Sequence, residues 1–188
     1  MRILTFGGLA LERNGVPMLI GEPQHSARLA ILAMLANAGE QGVLVRRFKA
    51  YLWPSHAESE AQRLLDAQLA SLQQDCGHAV VERDDVAYRL AANISSDARD
   101  FERDMRDGLP DRAASCYSGP FLLGFCMGPG YPFDRWAEWE RVRYAARYQE
   151  AVEAMSTPAG RPPRTSERLA AIVGRMAGKL RATPSRDT

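Results

Sequence analysis

The side chains that most often carry catalysis or hold metal ions are few in this chain and widely spaced. Its three histidines lack the HxxH or HExxH spacing that brings two imidazoles to one metal ion: His25, His56 and His78. Cys116 has no histidine near it in the sequence to act as a base. The Gly7-Gly8 pair begins no phosphate-binding motif. We therefore expect no catalytic residue, metal ion or cofactor, and a protein that is not an enzyme.

A second set of side chains has the chemistry of DNA recognition. Arginine and lysine bind phosphates, arginine pairs with guanine, and glutamine pairs with adenine. Candidates fall in three short segments: Arg46, Arg47 and Lys49, then Gln62, Arg63 and Gln73, and finally Arg83 and Arg89. Each segment is also compatible with a solvated polar surface, and the carboxylate of Asp66 within the second would repel phosphates. The residue types alone leave both interpretations open.

The elements that would position these side chains begin with a β-hairpin. Apolar residues alternate from Leu4 to Leu11, and the Gly7-Gly8 pair predicts a bulge within that strand. Asn14-Gly15 is a strong signal for a two-residue turn, since both positions of a type I′ turn need a positive φ. Pro17 predicts that the returning strand lies at a sheet edge, because proline cannot donate a hydrogen bond there.

Three helices and a second hairpin follow. Apolar spacing predicts helices over residues 25–38 and 45–52, and a longer one from Ser55 or His56 to Cys76. The third helix carries Gln62, Arg63 and Gln73 on its polar side. Two apolar strands around residues 80–90 enclose the turn Asp84-Asp85 and bear Arg83 and Arg89. This order is that of a winged helix-turn-helix, with the second hairpin as the wing and the fold class α+β.

The rest of the chain is predicted to be helical. Helices are expected over residues 97–106, with Ser96 or Asp97 as the cap, and over 111–118 and 133–155. The last of these carries aromatic residues that predict a packing face more readily than a ligand cage: Trp136, Trp139, Tyr144 and Tyr148. After a proline-containing segment, residues 165–182 form a basic amphipathic pattern, which predicts a helix that either completes the helical part or lies on nucleic acid or a membrane.

Charge is unevenly distributed along the 188 residues. Lys and Arg number 9 against 10 Asp and Glu in residues 1–92, 8 against 11 in residues 93–155, and 7 against 2 in residues 156–188. A DNA-binding domain is usually basic on at least one face, so the slight excess of acidic residues in residues 1–92 favours weak DNA binding. Three cysteines without a CxxC pair, together with the absence of a signal peptide or a long apolar run, predict a cytoplasmic protein that does not enter membranes.

Several strings of residues resemble SARP-type transcriptional regulators. The resemblance covers residues 1 to about 155, and its most specific parts lie in the second half. The strings are Arg2–Leu11, Leu52-Trp53-Pro54, the frame Ala61…Leu65…Leu69…Leu72…Gly77, Ser96-Asp97…Phe101-Glu102, Tyr117-Ser118-Gly119-Pro120-Phe121-Leu122…Gly124-Phe125, Trp136…Glu140-Arg141-Val142-Arg143 and Tyr148…Ala151. The third helix departs from the family by carrying Gln62, Gln73 and Gln74 where arginines are expected.

The resemblance implies an organisation and a set of partners. Residues 1–92 would be an OmpR-like winged helix-turn-helix, and residues 97–155 a shortened bacterial transcriptional activator domain of tetratricopeptide-like helices. Residues 156–188 would be a linker and a basic helix. The expected partners are double-stranded promoter DNA and, through the helical part, RNA polymerase, a second copy or another regulator. The loop Trp53-Pro54-Ser55-His56 is a further candidate surface for polymerase, although Trp53 fits a core anchor better. The alternative function is a protein-interaction adaptor whose winged helix has lost effective DNA binding.

Overall fold

Small sheets and helices follow one another in the order that the sequence predicts. The computed structural model describes residues 1–18, 26–77 and 79–156. The strands are β1 (Arg2–Leu4), β2 (Ala10–Arg13), β3 (Val16–Met18), β4 (Val43–Leu44), β5 (Val81–Arg83), β6 (Ala87–Leu90) and β7 (Ser95–Ser96). The helices are α1 (Ser26–Asn37), α2 (Val45–Leu52), α3 (Glu58–Cys76), α4 (Asp97–Arg106), α5 (Pro110–Cys116) and α6 (Pro132–Ser156). The protein is therefore a mixed α+β structure.

The N-terminal sheet has the strand order β3-β2-β1-β7. Strands β1, β2 and β3 are antiparallel, while β7 runs parallel to β1. Asn14 and Gly15 have φ angles of 54° and 78°, which confirms the predicted turn with two positive φ values. Pro17 lies on β3 at the sheet edge, as predicted.

The predicted bulge at Gly7-Gly8 is wrong. The chain reverses there, so that β1 and β2 pair with each other and Ile3 lies opposite Leu11. Gly7 has a φ of +76°, and its N–H donates to the carbonyl of Pro120 over 3.1 Å. An added Cβ would lie 3.2 Å from the Ser118 hydroxyl oxygen. Apolar residues alternate in β1 and again in β2 with the same period of two. The sequence of the two strands and the short loop between them therefore resembles one strand with a bulge.

Helices α1, α2 and α3 confirm three predicted helices. Helix α1 is buried along its whole second half, from Ala30 to Ala36. Helix α2 has the predicted bounds and buries Phe48 and Leu52. Helix α3 begins at Glu58 and not at Ser55 or His56, because residues 54–56 form a turn in which His56 N–H donates to the carbonyl of Trp53 over 3.2 Å.

A second sheet has the order β4-β6-β5 and contains the second predicted hairpin. Strands β5 and β6 pair antiparallel, with Glu82 opposite Arg89. Strand β4 was not predicted, because two residues, Val43 and Leu44, are too few to show an alternating pattern. It joins the hairpin to the segment between α1 and α2.

The helical part and the N-terminal sheet share one aromatic core. Phe6 of the loop after β1 contacts the ring of Tyr144 at a centroid distance of 4.9 Å and that of Phe101 at 5.6 Å. The Phe121 ring lies 5.3 Å from that of Tyr144. Residues Met1–Val152 accordingly form one compact unit. The division at residues 92–97 into a DNA-binding and an activator part stays a prediction about function.

Asp97, the first residue of α4, anchors the end of β1. Its carboxylate accepts hydrogen bonds from Thr5 N–H (2.7 Å), the Thr5 hydroxyl (2.7 Å) and Phe6 N–H (2.9 Å). Burial raises the pKa of Asp97 against the opposing effect of these bonds. Ser96 caps α4 by accepting from Arg99 N–H, as the sequence predicted for Ser96 or Asp97.

Helix α6 packs through three of the four aromatic residues predicted for its packing face. Trp136 and Tyr144 are buried, and Tyr148 stacks on Tyr117 at 4.6 Å, but Trp139 is 74% exposed. Trp139 is therefore the one member of the predicted aromatic face that lies on the other side of the helix. The predicted basic helix at residues 165–182 lies outside the described residues.

Candidate nucleic-acid interface

Helix α3 presents a polar side because its apolar side is fixed in the core. Ala61, Leu65, Leu72 and Cys76 are buried, and Leu69 is partly buried. The helix ends at Gly77, whose φ of 68° lets its N–H donate to the carbonyls of Gln73 and Gln74. The opposite side is exposed and carries Arg63, Asp66, Ala67, Ala70 and Gln73, with Gln62 half-buried beside them. This side is the one expected to face DNA.

Three elements are joined across this side by a line of polar contacts. Lys49 Nζ of α2 donates to Gln62 Oε1 over 3.3 Å, and Gln62 Nε2 donates to Asp66 Oδ1 over 2.9 Å. The hydroxyl of Tyr88, on β6, donates to the same Asp66 oxygen over a longer 3.4 Å. Burial raises the pKa of Tyr88, which keeps its hydroxyl protonated as a donor.

Arginines extend this line at both ends. Arg46 lies three residues before Lys49 on α2 and is exposed, with no ion pair among the residues that the structure describes. The Arg83 guanidinium lies 5.4 Å from the centre of the Tyr88 ring. We call the set Arg46, Lys49, Gln62, Asp66, Tyr88 and Arg83 the polar strip. It crosses α2, α3 and the hairpin β5–β6, which are the elements predicted to bear the DNA-binding residues.

Carboxylates already occupy several of the predicted phosphate-binding groups. Lys49 Nζ forms an ion pair with Glu58 and is largely buried. Arg63 is 72% exposed and contacts Glu60 at 3.5 Å. Arg89 forms an ion pair with Asp84, and its Nε has no hydrogen-bond partner among the described residues. Arg46, Arg47 and Arg83 are the predicted basic residues that keep their charge free of a carboxylate within the described part of the chain.

Arg47 is exposed but oriented by an aromatic ring. Its guanidinium lies 5.2 Å from the centre of the Tyr51 ring, one turn further along α2. Tyr51 in turn packs near Trp136 of α6, at 6.2 Å between ring centres. The stacking holds the Arg47 side chain along the helix surface without neutralising its charge.

The hairpin turn is closed by Asp84. Its Oδ1 accepts from Val86 N–H over 3.0 Å and from Ala87 N–H over 2.8 Å. These two backbone bonds, Val86 first, lower the pKa of Asp84, with Arg89 adding to the effect. The turn is thereby fixed between the strands that carry Arg83 and Arg89.

A shallow groove separates α3 from the hairpin. Its volume is about 270 Å³, and it is lined by Asp66, Leu69, Ala70, Leu72, Gln73, Val80, Val81 and Tyr88. The predicted site residue Gln73 lies in this groove, away from Arg46 and Arg47. The structure thus brings Gln62 and Lys49 together, while Gln73 belongs to the far end of α3.

Residues that the sequence did not single out decide much of this geometry. Glu58 and Tyr88 hold Lys49 and Asp66, respectively. Arg28, ahead of the buried part of α1, is itself buried and pairs with Asp75 of α3, so it fastens two helices. No pattern in the sequence shows these pairings, because each joins residues of different elements.

The loop between α2 and α3 is divided between core and surface. Trp53 is half-buried and packs against the core, whereas Pro54, Ser55 and His56 are exposed.

In the described ranges, no group of three or more His, Cys, Asp or Glu residues is placed to hold a metal ion. None of the described helices is long and apolar enough to cross a membrane.

Comparison with known proteins gives a likeness of fold. No family model matches the chain, and no curated protein matches its sequence. Among solved structures, EmbR of Mycobacterium tuberculosis, determined in complex with a low affinity phosphopeptide, matches with a TM-score of 0.57 at 18% identity. The match covers 94% of this chain and 49% of that one, so this chain spans about half the length of the EmbR chain. EmbR is a SARP-family regulator with a winged helix and a helical domain, and the fold of the present protein is similar to it.

Proposed function

We propose that this protein is a SARP-like transcription regulator that binds promoter DNA through α3 and the hairpin β5–β6. In this proposal α1 to α3 and the hairpin form an OmpR-like winged helix-turn-helix within a cytoplasmic, non-enzymatic protein. Helices α4 to α6 form the tetratricopeptide-like activator part, which contacts RNA polymerase or another protein. The fold likeness to a regulator of that kind supports the proposal.

The observation that carries the proposal is the continuity of the polar strip. Contacts from Lys49 to Gln62, from Gln62 to Asp66 and from Asp66 to Tyr88 align α2, α3 and the hairpin on one side of the molecule. An exposed arginine stands beyond each end of that line. A helix flanked by two phosphate-binding elements is the arrangement that a major groove accepts.

The same strip predicts weak binding. Glu58, Glu60 and Asp66 lie on α3, close to where phosphates would approach, and each adds repulsion. Three predicted basic residues are already paired with carboxylates. Only a few phosphates are therefore neutralised by the bound protein.

The experiment is a salt series with the full chain and duplex DNA from upstream of its own gene cluster, followed by fluorescence anisotropy. We expect the logarithm of the association constant, plotted against the logarithm of the salt concentration, to have a slope of about −3 to −5. Each phosphate contact contributes roughly −0.9 to this slope. The double variant Arg46→Ala, Arg83→Ala removes the exposed arginine at each end of the polar strip, so it should bind more weakly and reduce the slope by about 2.

The matched control is Arg106→Ala with Arg112→Ala, which removes the same charge from α4 and α5. Its binding should follow that of the wild type, apart from a small long-range effect. Equal affinity of the wild type and the Arg46, Arg83 variant would reject DNA binding through this surface.

The second candidate is a protein-interaction adaptor. Two observations favour it: the carboxylates that pair with Lys49, Arg63 and Arg89, and the exposed Trp139 on α6. An adaptor would show no salt-dependent binding to any duplex. The same titration therefore separates the two functions.

A further inference from the structure

Helix α6 has an exposed apolar strip on the side away from the aromatic core. Trp139 is 74% exposed and Val142 is 65% exposed. Together with Arg135, Ala146 and Gln149 they recur at steps of four, three, four and three, so all five lie along one side of the helix. Tryptophan is among the residue types that contribute most to protein–protein contacts, and here it lies beside a second exposed apolar residue on the same side of the helix.

The charges at the two ends of this strip are opposite. Arg135, at the N-terminal end, is exposed and makes no ion pair within residues 1–18, 26–77 and 79–156. Glu150, near the C-terminal end, is 61% exposed and contacts Arg147 at a long 3.8 Å. Between them, Ala145 and Ala146 are exposed small residues that leave space beside Trp139 and Val142.

We propose that this strip is the contact surface between two copies of the chain, with α6 of each copy packed antiparallel about a two-fold axis near Val142. In that arrangement the Arg135 end of one helix meets the Glu150 end of the other, twice by symmetry. Trp139 of one copy covers Ala146 of its partner. A parallel arrangement would place Arg135 on Arg135 and Glu150 on Glu150, which is repulsive.

The small contact area predicts a weak dimer. The strip from Arg135 to Glu150 spans roughly 24 Å of helix. We expect one helix pair of this length to bury less than the roughly 1,200 Å² at which stable interfaces begin. Association should therefore depend on concentration, and it is independent of the proposed DNA binding.

The test is sedimentation velocity of the full chain from micromolar to near-millimolar concentration. We expect the wild type to pass from monomer to dimer in this range, and Trp139→Ala to stay monomeric. Val16→Ala is the matched control, because Val16 is an equally exposed apolar residue on β3. It should associate like the wild type, and all variants should keep the wild-type melting temperature.

A charge exchange tests the antiparallel geometry. Arg135→Glu and Glu150→Arg should each weaken the dimer at least severalfold, and the variant with both changes should recover it. A short thiol crosslinker should join copies of Val142→Cys in a Cys126→Ser background, but not copies of Trp139→Cys or Gln149→Cys, which lie away from the axis.

Three outcomes would overturn the proposal. The first is a wild type that is monomeric at every concentration. The second is a Trp139→Ala variant that melts at a lower temperature as a monomer, which would mean that residues 157–188 or another part of the same chain covers the strip. The third is a variant with both Arg135→Glu and Glu150→Arg that fails to recover association. That result would mean that this side of α6 binds a partner other than a second copy.

Discussion

Asp84 is the residue on which the hairpin β5–β6 depends most directly. Its carboxylate accepts two backbone N–H groups of the turn and pairs with Arg89. A charged acceptor binds these donors more strongly than a neutral carboxyl group does. The turn between the strands that carry Arg83 and Arg89 is therefore stabilised by the ionised form of one exposed side chain.

This dependence gives a prediction about pH. The pKa of Asp84 is lower in the folded protein than in the unfolded chain, so its stabilisation of the turn is complete above the ordinary aspartate value. It is lost as the pH falls through the lowered pKa. NMR titration should show the amides of Val86 and Ala87 shifting together in this acidic range, and not shifting in Asp84→Asn. A midpoint at or above the ordinary value of about 3.9 would contradict it.

Pairings between distant residues mark the limit of sequence interpretation at this scale. Arg63 and Arg83 are recognisable as exposed basic residues from their helical and strand positions. Nothing in the sequence indicates that Lys49 is held by Glu58, or that Asp97 accepts from Thr5, 92 positions earlier in the chain. Such pairs form only once the elements are packed, so the amount of free charge on the surface could not be predicted.

At the scale of elements, α3 is the part on which both the fold and the interface depend. Its buried stripe fixes its rotation, and its rotation decides which side chains face outward. Leu65, at the centre of that stripe, is fully buried. Helical periodicity predicts this stripe well, since one side of the helix must be apolar to enter the core. The turn at Gly7-Gly8 was missed because strand alternation carries no information about chain reversal.

Leu65→Asp should unfold the protein. It places an unpaired charge in the core, at a cost of several kcal/mol against a total stability of about 5–15 kcal/mol. Thermal unfolding followed by circular dichroism should show loss of the cooperative transition. Ala67→Asp is the control, because it introduces the same carboxylate on the exposed side of the same helix and should leave the transition nearly unchanged.

If Leu65→Asp instead melts like the wild type, the stripe is not part of the core. The rotation assigned to α3 would then be wrong, and the polar strip would not face outward. A comparable loss in Ala67→Asp would indicate that the effect comes from a helix charge and not from burial.

At the scale of the whole molecule, the aromatic core joins the first strands to the last described helix. Phe6, Phe101, Phe121 and Tyr144 belong to four separate segments, yet their rings are in contact. The strings that resemble SARP-type regulators include all of these residues except Tyr144. The order of the elements, and the three elements that carry the candidate interface, were therefore predictable from the sequence. The exposure of Trp139 was not, because both faces of α6 carry aromatic residues.

The central claim is that α2, α3 and the hairpin bind duplex DNA as one surface. Its most direct test is an amide NMR spectrum of the full chain with and without a short duplex at low salt. The account predicts shifts at the start of α2, on the exposed side of α3 and in β5–β6, with α4 and α5 unchanged. A spectrum that does not change with DNA, or that changes only in α6, would contradict it.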